Sequence, residues 1–105
     1  MPRTKYFRDL IAWQKAMALA RRVYSLTEDF PKSEIFGLRI QLRRSAVSVA
    51  SNIAEGYGRL TDAQLRNSVG MARGSLYELQ TQIELACDLG LFDKTRVKEL
   101  LDPCY

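Results

Sequence analysis

Apolar and polar positions repeat at helical spacing along most of the chain. Trp13, Met17, Ala20 and Tyr24 form one stripe, widened by Ala16, Val23 and Thr27, while Gln14, Lys15, Arg21 and Arg22 fall on the other side. This predicts a first helix from about Asp9, as N-cap, to about Glu28. Phe30-Pro31 then breaks it, because the residue before a proline is driven out of the α region. A second helix is expected from Ser33 to Glu55, closed by Gly56 with Gly58 extending the turn. A third opens on Thr61-Asp62-Ala63-Gln64, at capping-box spacing, and closes at Gly90. Within it Leu65, Val69, Ala72, Leu76, Leu79, Ile83 and Ala86 form an unbroken seam, on a rod of roughly 42 Å. A short fourth helix, starting near Asp93 or Thr95, carries Val97, Leu100 and Leu101 before Asp102-Pro103. No strand-like alternation of useful length occurs. The expected fold is all-α: one domain over residues 1–105, an antiparallel up-down four-helix bundle with a short or truncated fourth helix.

The second helix carries two apolar faces. Leu38, Leu42, Val49 and Ile53 lie on one stripe, and Phe36, Ile40, Val47 and Ala54 on another about a third of a turn away. One stripe serves a bundle core, so the second requires another partner, for which a second copy of the chain is the simplest source. Arg39 and Arg43 fall in the seam between the stripes, where an unpaired guanidinium costs about 3–5 kcal/mol. A carboxylate or phosphate is expected beside them, from Glu55, Glu78, a neighbouring copy or a nucleic acid. Glu55 sits at the negative end of its helix dipole and calls for a cation, with Arg59 the nearest in sequence. The polar arc is read as Gln41, Arg44, Ser48, Ser51, Asn52 and Glu55. On the third helix Gly70, Gly74 and Thr81 make a stripe of small residues opposite the seam. Two mid-helix glycines cost about 2 kcal/mol relative to alanine, which points to close approach of another helix, within the protomer or between copies.

With 47% hydrophobic and 27% charged residues in 105, the chain has the balance of an ordinary globular domain. Its longest uncharged stretch, Ser45 to Ala54, is too short and too rich in serine to span a bilayer. Charged residues near the start leave no apolar signal segment, so a cytoplasmic location and no membrane association are expected. Two cysteines and no histidine give neither a disulfide framework nor a zinc site a basis, and no metal or other cofactor is expected. The net charge of +4 is uneven: residues 1–59 hold eleven Lys/Arg against five Asp/Glu, whereas residues 60–105 hold five against seven. The first half is the anion-binding candidate.

The run Phe7 to Trp13, Phe30-Pro31 with Glu34, Gln41 to Ser48, Asn52-Ile53-Ala54-Glu55-Gly56 and Gly74-Ser75-Leu76-Tyr77-Glu78-Leu79 together resemble one family. It comprises the small bacterial four-helix-bundle proteins encoded in intervening sequences of 23S ribosomal RNA genes. The resemblance covers residues 7 to about 92 and implies an up-down bundle that assembles as a ring of five, with no established catalytic activity. A related branch is similar to the accessory proteins of diversity-generating retroelements, basic pentamers that work with a reverse transcriptase and nucleic acid. By that similarity Arg39, Arg43, Arg44 and Arg59 are candidate phosphate contacts. The end of the chain departs from the pattern, since Asp102-Pro103-Cys104-Tyr105 stands where a longer basic helix is usual.

No catalytic constellation is present. A carboxylate-bridged metal site needs Glu-x-x-His pairs, and the serines have no base beside them and no glycine-rich phosphate loop. The chain is therefore read as a non-enzymatic homo-oligomer that binds RNA or DNA, or a nucleic-acid-processing complex such as a reverse transcriptase, through a basic surface. Arg21, Arg22 and Arg44 are the outward-facing candidates, joined by Arg39, Arg43 and Arg59, with amides and hydroxyls at Gln41, Ser48, Ser51 and Asn52. Phe36, Ile40, Val47, Gly70 and Gly74 are the candidate interface between copies. The alternative is a protein-interaction scaffold with no nucleic-acid binding.

Overall fold

The computed structural model describes residues 6–92 and Thr95. It contains three α-helices, α1 (Ile11–Thr27), α2 (Leu38–Tyr57) and α3 (Asp62–Asp88), and no strand among those residues. The expected short fourth helix, starting near Asp93 or Thr95 and ending before Asp102-Pro103, lies outside the described residues apart from Thr95.

Each helix boundary has a local cause. Asp9 does not cap α1: it belongs to a 3-10 turn, Phe7–Asp9, and Leu10 precedes the helix without a side-chain cap. The Gln14 amide holds that turn by donating to the Arg8 carbonyl at 2.9 Å. Pro31 is followed by a second 3-10 turn, Lys32–Glu34, so α2 begins at Leu38 rather than Ser33. Its first turn is capped from upstream, where Glu34 Oε1 accepts from Leu38 N–H at 3.1 Å. At the other end Gly58, not Gly56, is the cap. Gly56 is instead buried inside α2, where an added Cβ would come within 3.3 Å of Ser68 Cβ. It is glycine because α3 passes there.

Helix α3 starts as its sequence predicts. Thr61 Oγ1 accepts from Gln64 N–H at 3.2 Å, and Gln64 Oε1 accepts from Leu60 N–H at the same distance. It ends in a Schellman motif. Gly90, at φ +76°, donates to the Cys87 carbonyl at 3.0 Å, and Leu91 donates to Ala86 at 2.9 Å.

The core gathers at one end of the bundle. Val23, Leu42, Leu79 and Ile83 are fully buried there, closed off by Phe30 and Phe92, whose ring centroids lie 5.0 Å apart. Both α1 and α3 pack on α2, the first through Ala16, Ala20, Val23, Ala46 and Ala50.

The α2–α3 contact sets polar pairs beside the apolar core residues Leu42, Leu79 and Ile83. Ser45 Oγ lies 3.0 Å from Gln82 Oε1, Ser48 Oγ 2.8 Å from Ser75 Oγ, and Arg59 Nε donates to Ser68 Oγ at 3.0 Å. Asn52 is buried and donates to the Ser48 carbonyl at 2.8 Å. Ser48 and Asn52 therefore do not belong to the solvent arc. Ser48 is drawn inward because α3 offers the Ser75 hydroxyl in register with it, and Asn52 follows by donating back to Ser48 one turn earlier.

The seam of α3 is covered over only part of its length. Ala72, Leu79, Ile83 and Ala86 are buried, but Leu65 and Val69 are exposed. They line a groove of about 690 Å3 between α1 and α3, floored by Val49 and Ile53 of α2.

Candidate functional site

The two stripes of α2 have opposite fates. Leu38, Leu42 and Val49 are buried, whereas Phe36, just before the helix, is 89% exposed and Val47 43%. Ile40 and Ala54 are half-buried. Beside this outer stripe Trp13, Met17, Arg21 and Tyr24 of α1 join Val47 and Ala54 in lining a shallow groove of about 490 Å3. The single chain thus leaves an apolar face uncovered, bounded by aromatic rings and an arginine.

The seam arginines do find a carboxylate, and it is Glu28 rather than Glu55 or Glu78. Glu28 Oε2 lies 3.2 Å from Arg43 and 3.5 Å from Arg39. Arg43 is well held: its Nε donates to Thr27 Oγ1 at 2.8 Å, one terminal nitrogen donates to the Tyr24 carbonyl at 3.1 Å, and its guanidinium sits 4.4 Å from the Tyr24 ring centre. Arg39 is held less completely, with its Nε buried and without an acceptor. Two side chains only 20% and 19% exposed share one carboxylate that is itself 70% exposed, so the cluster keeps one positive charge in excess. The sequence carries a signal for Glu28: like Glu55, it is an acid at the carboxyl end of a helix, a position that calls for a cation.

Glu55 has the expected partner, Arg59, at 3.5 Å. The remaining arginines, Arg21, Arg22 and Arg44, are exposed and form no ion pair among the described residues. The six candidates do not make one patch. Arg39 and Arg59 stand at opposite ends of α2, roughly 30 Å apart by helical rise, and Arg21 and Arg22 diverge by about 100° around α1.

Gly70 and Gly74 have no atom within 4 Å of where a Cβ would stand. No helix among the described residues approaches them. Among the described residues no group of His, Cys, Asp and Glu side chains could hold a metal ion. No helix among them is long and apolar enough to cross a membrane.

The described residues are thus all-helical, and the outer apolar stripe running from Phe36 through α2 is only partly covered. Residues 8–105 match the family model described as 23S rRNA-intervening sequence protein, and the chain belongs to that family. Among curated proteins, none matches it.

Proposed function

We propose that the protein is a non-catalytic four-helix bundle, its short fourth helix starting near Asp93 or Thr95 and ending before Asp102-Pro103, that works as a homo-oligomer. Five copies is the number the family resemblance implies. The observation that carries this reading is the bare outer stripe of α2, with Phe36 and Val47 in water while the opposite stripe is buried. Each such side chain gains about 1.5–3 kcal/mol when covered, and a patch of this kind is the usual mark of a contact between chains. The assembled bundle then presents Arg21, Arg22 and Arg44 to RNA or DNA, or to a complex such as a reverse transcriptase acting on them. A second reading, a protein-interaction scaffold without nucleic acid, is favoured by one observation: Arg39, Arg43 and Arg59 already pair with carboxylates of their own chain.

Light scattering coupled to gel filtration tests the assembly. The wild type is expected as a multimer, and Val47→Asp as smaller species with unchanged helical circular dichroism. A wild type that stays monomeric refutes it. Anisotropy titration with RNA and DNA separates the two readings: phosphate contact requires affinity that falls steeply between about 50 and 200 mM salt. Absence of salt-sensitive binding at micromolar protein leaves the scaffold reading.

A further inference from the structure

The arginine-bordered face of α2 has an electrostatic counterpart elsewhere on the same chain. Residues 74–92 contain Glu78, Glu84 and Asp88 and no lysine or arginine. Glu84 and Asp88 are exposed, form no ion pair among the described residues, and share an arc of α3 with Tyr77 and Thr81, turned away from α2. Against them stand Arg39 and Arg43, one carboxylate short, and Arg44 beyond the apolar stripe.

Height along the bundle brings the two sets level. The helices α2 and α3 are antiparallel, with Ser45 beside Gln82 and Ser48 beside Ser75. That register sets Arg44 level with Glu84 and Arg39 level with Asp88. A cyclic ring whose axis runs along the bundle relates copies by rotation alone, so groups level within one copy stay level between neighbours.

We infer that the outer face of α2 in one copy docks on the outer face of the carboxyl-terminal half of α3 in the next. Glu84 and Asp88 of that second copy then supply negative charge to the cluster of two guanidinium groups on one carboxylate and an ion-pair partner to Arg44. The contact is heterologous, each copy using a different face toward each neighbour. It rests on the self-association proposed above, specifies which surfaces meet, and moves Arg44 from the nucleic-acid surface into the contact between copies, leaving that surface to Arg21 and Arg22.

The test is Glu84→Lys with Asp88→Lys, followed by sedimentation velocity over a concentration series. Lysine in the last turn of α3 suits the helix dipole, so the variant keeps its fold. Self-association is expected to weaken about tenfold, less so at high salt, and to recover when Arg44→Glu is added to the same chain. Should the double lysine variant fail to fold, Glu84→Gln with Asp88→Asn is expected to weaken association about threefold on the same assay. A multimeric wild type whose mass is unmoved by the charge reversal overturns this inference alone. So does a loss that Arg44→Glu does not recover, as general charge repulsion would give. If Arg44→Glu reduces RNA binding and leaves the mass unchanged, the α2 face serves nucleic acid and the inference fails. A wild type monomeric at every concentration removes both this pairing and the self-association it rests on.

Discussion

Replacing Glu28 with glutamine isolates the one carboxylate that holds the seam arginines. The substitution keeps the shape and one carbonyl acceptor but removes the charge that Arg39 and Arg43 share at 3.5 and 3.2 Å. Two opposing considerations set the magnitude. Glu28 is well exposed, which places each pair near the low end of surface ion pairs, about 0–1 kcal/mol. The guanidinia are about four-fifths buried, so water replaces the lost charge poorly, most of all for Arg39. Arg43 keeps Thr27, the Tyr24 carbonyl and the Tyr24 ring, so the loss falls chiefly on Arg39. The expected destabilisation is about 1–1.5 kcal/mol, a Tm decrease of roughly 4–10 °C for a chain of this size. Thermal unfolding followed by far-ultraviolet circular dichroism measures it, at one fixed protein concentration because assembly makes Tm concentration-dependent. A double-mutant cycle with Arg39→Met completes the assay. If Arg39→Met costs as much in the Glu28→Gln background as in the wild type, the two residues are uncoupled and the account of the cluster is wrong.

Two further outcomes check the packing. Ile83→Ala at the fully buried centre of the core is expected to lower unfolding stability by about 2–5 kcal/mol in chemical denaturation, and a loss under about 1 kcal/mol contradicts its placement. Gly74→Ala and Gly90→Ala are expected to move Tm in opposite directions under dilute conditions. The first gains up to about 1 kcal/mol of helix propensity in open space, and the second loses about as much by forcing alanine to positive φ. Equal signs for the pair would refute the helix ends as described.

The helices were legible in the sequence because their signals are local. Thr61 with Gln64, Gly90 and the repeat through Ile83 fix α3 without reference to the rest of the chain. Two stripes on α2 could also be read from spacing alone, and Phe36 and Val47 are exposed where that spacing places them. Signals that depend on what lies opposite were read less well. Ser48 and Asn52 look like surface residues until Ser75 faces them, and Gly56 looks like a terminator until Ser68 packs against it. The starts of α1 and α2 shifted because 3-10 turns took up Asp9 and Ser33, a competition that spacing does not resolve. Leu65 and Val69 share the periodicity of buried residues, yet the groove beside them is open. The six arginines, chosen for charge and family resemblance, proved to be three engaged in ion pairs and three facing solvent, since neither shows which acid lies near.

Because α1 and α3 each rest on α2, the middle helix is the spine of the bundle and local opening has a built-in order. Peeling α1 away strips aliphatic contacts and the Glu28 cluster but leaves an α2–α3 hairpin still fastened by its hydroxyls and amides. Peeling α3 away would strand Ser45 and Ser48 as well as strip Leu79, Ile83 and Ala86 from the core. Transient excursions of the native state therefore begin at the amino-terminal helix, and the hairpin is the part that persists longest.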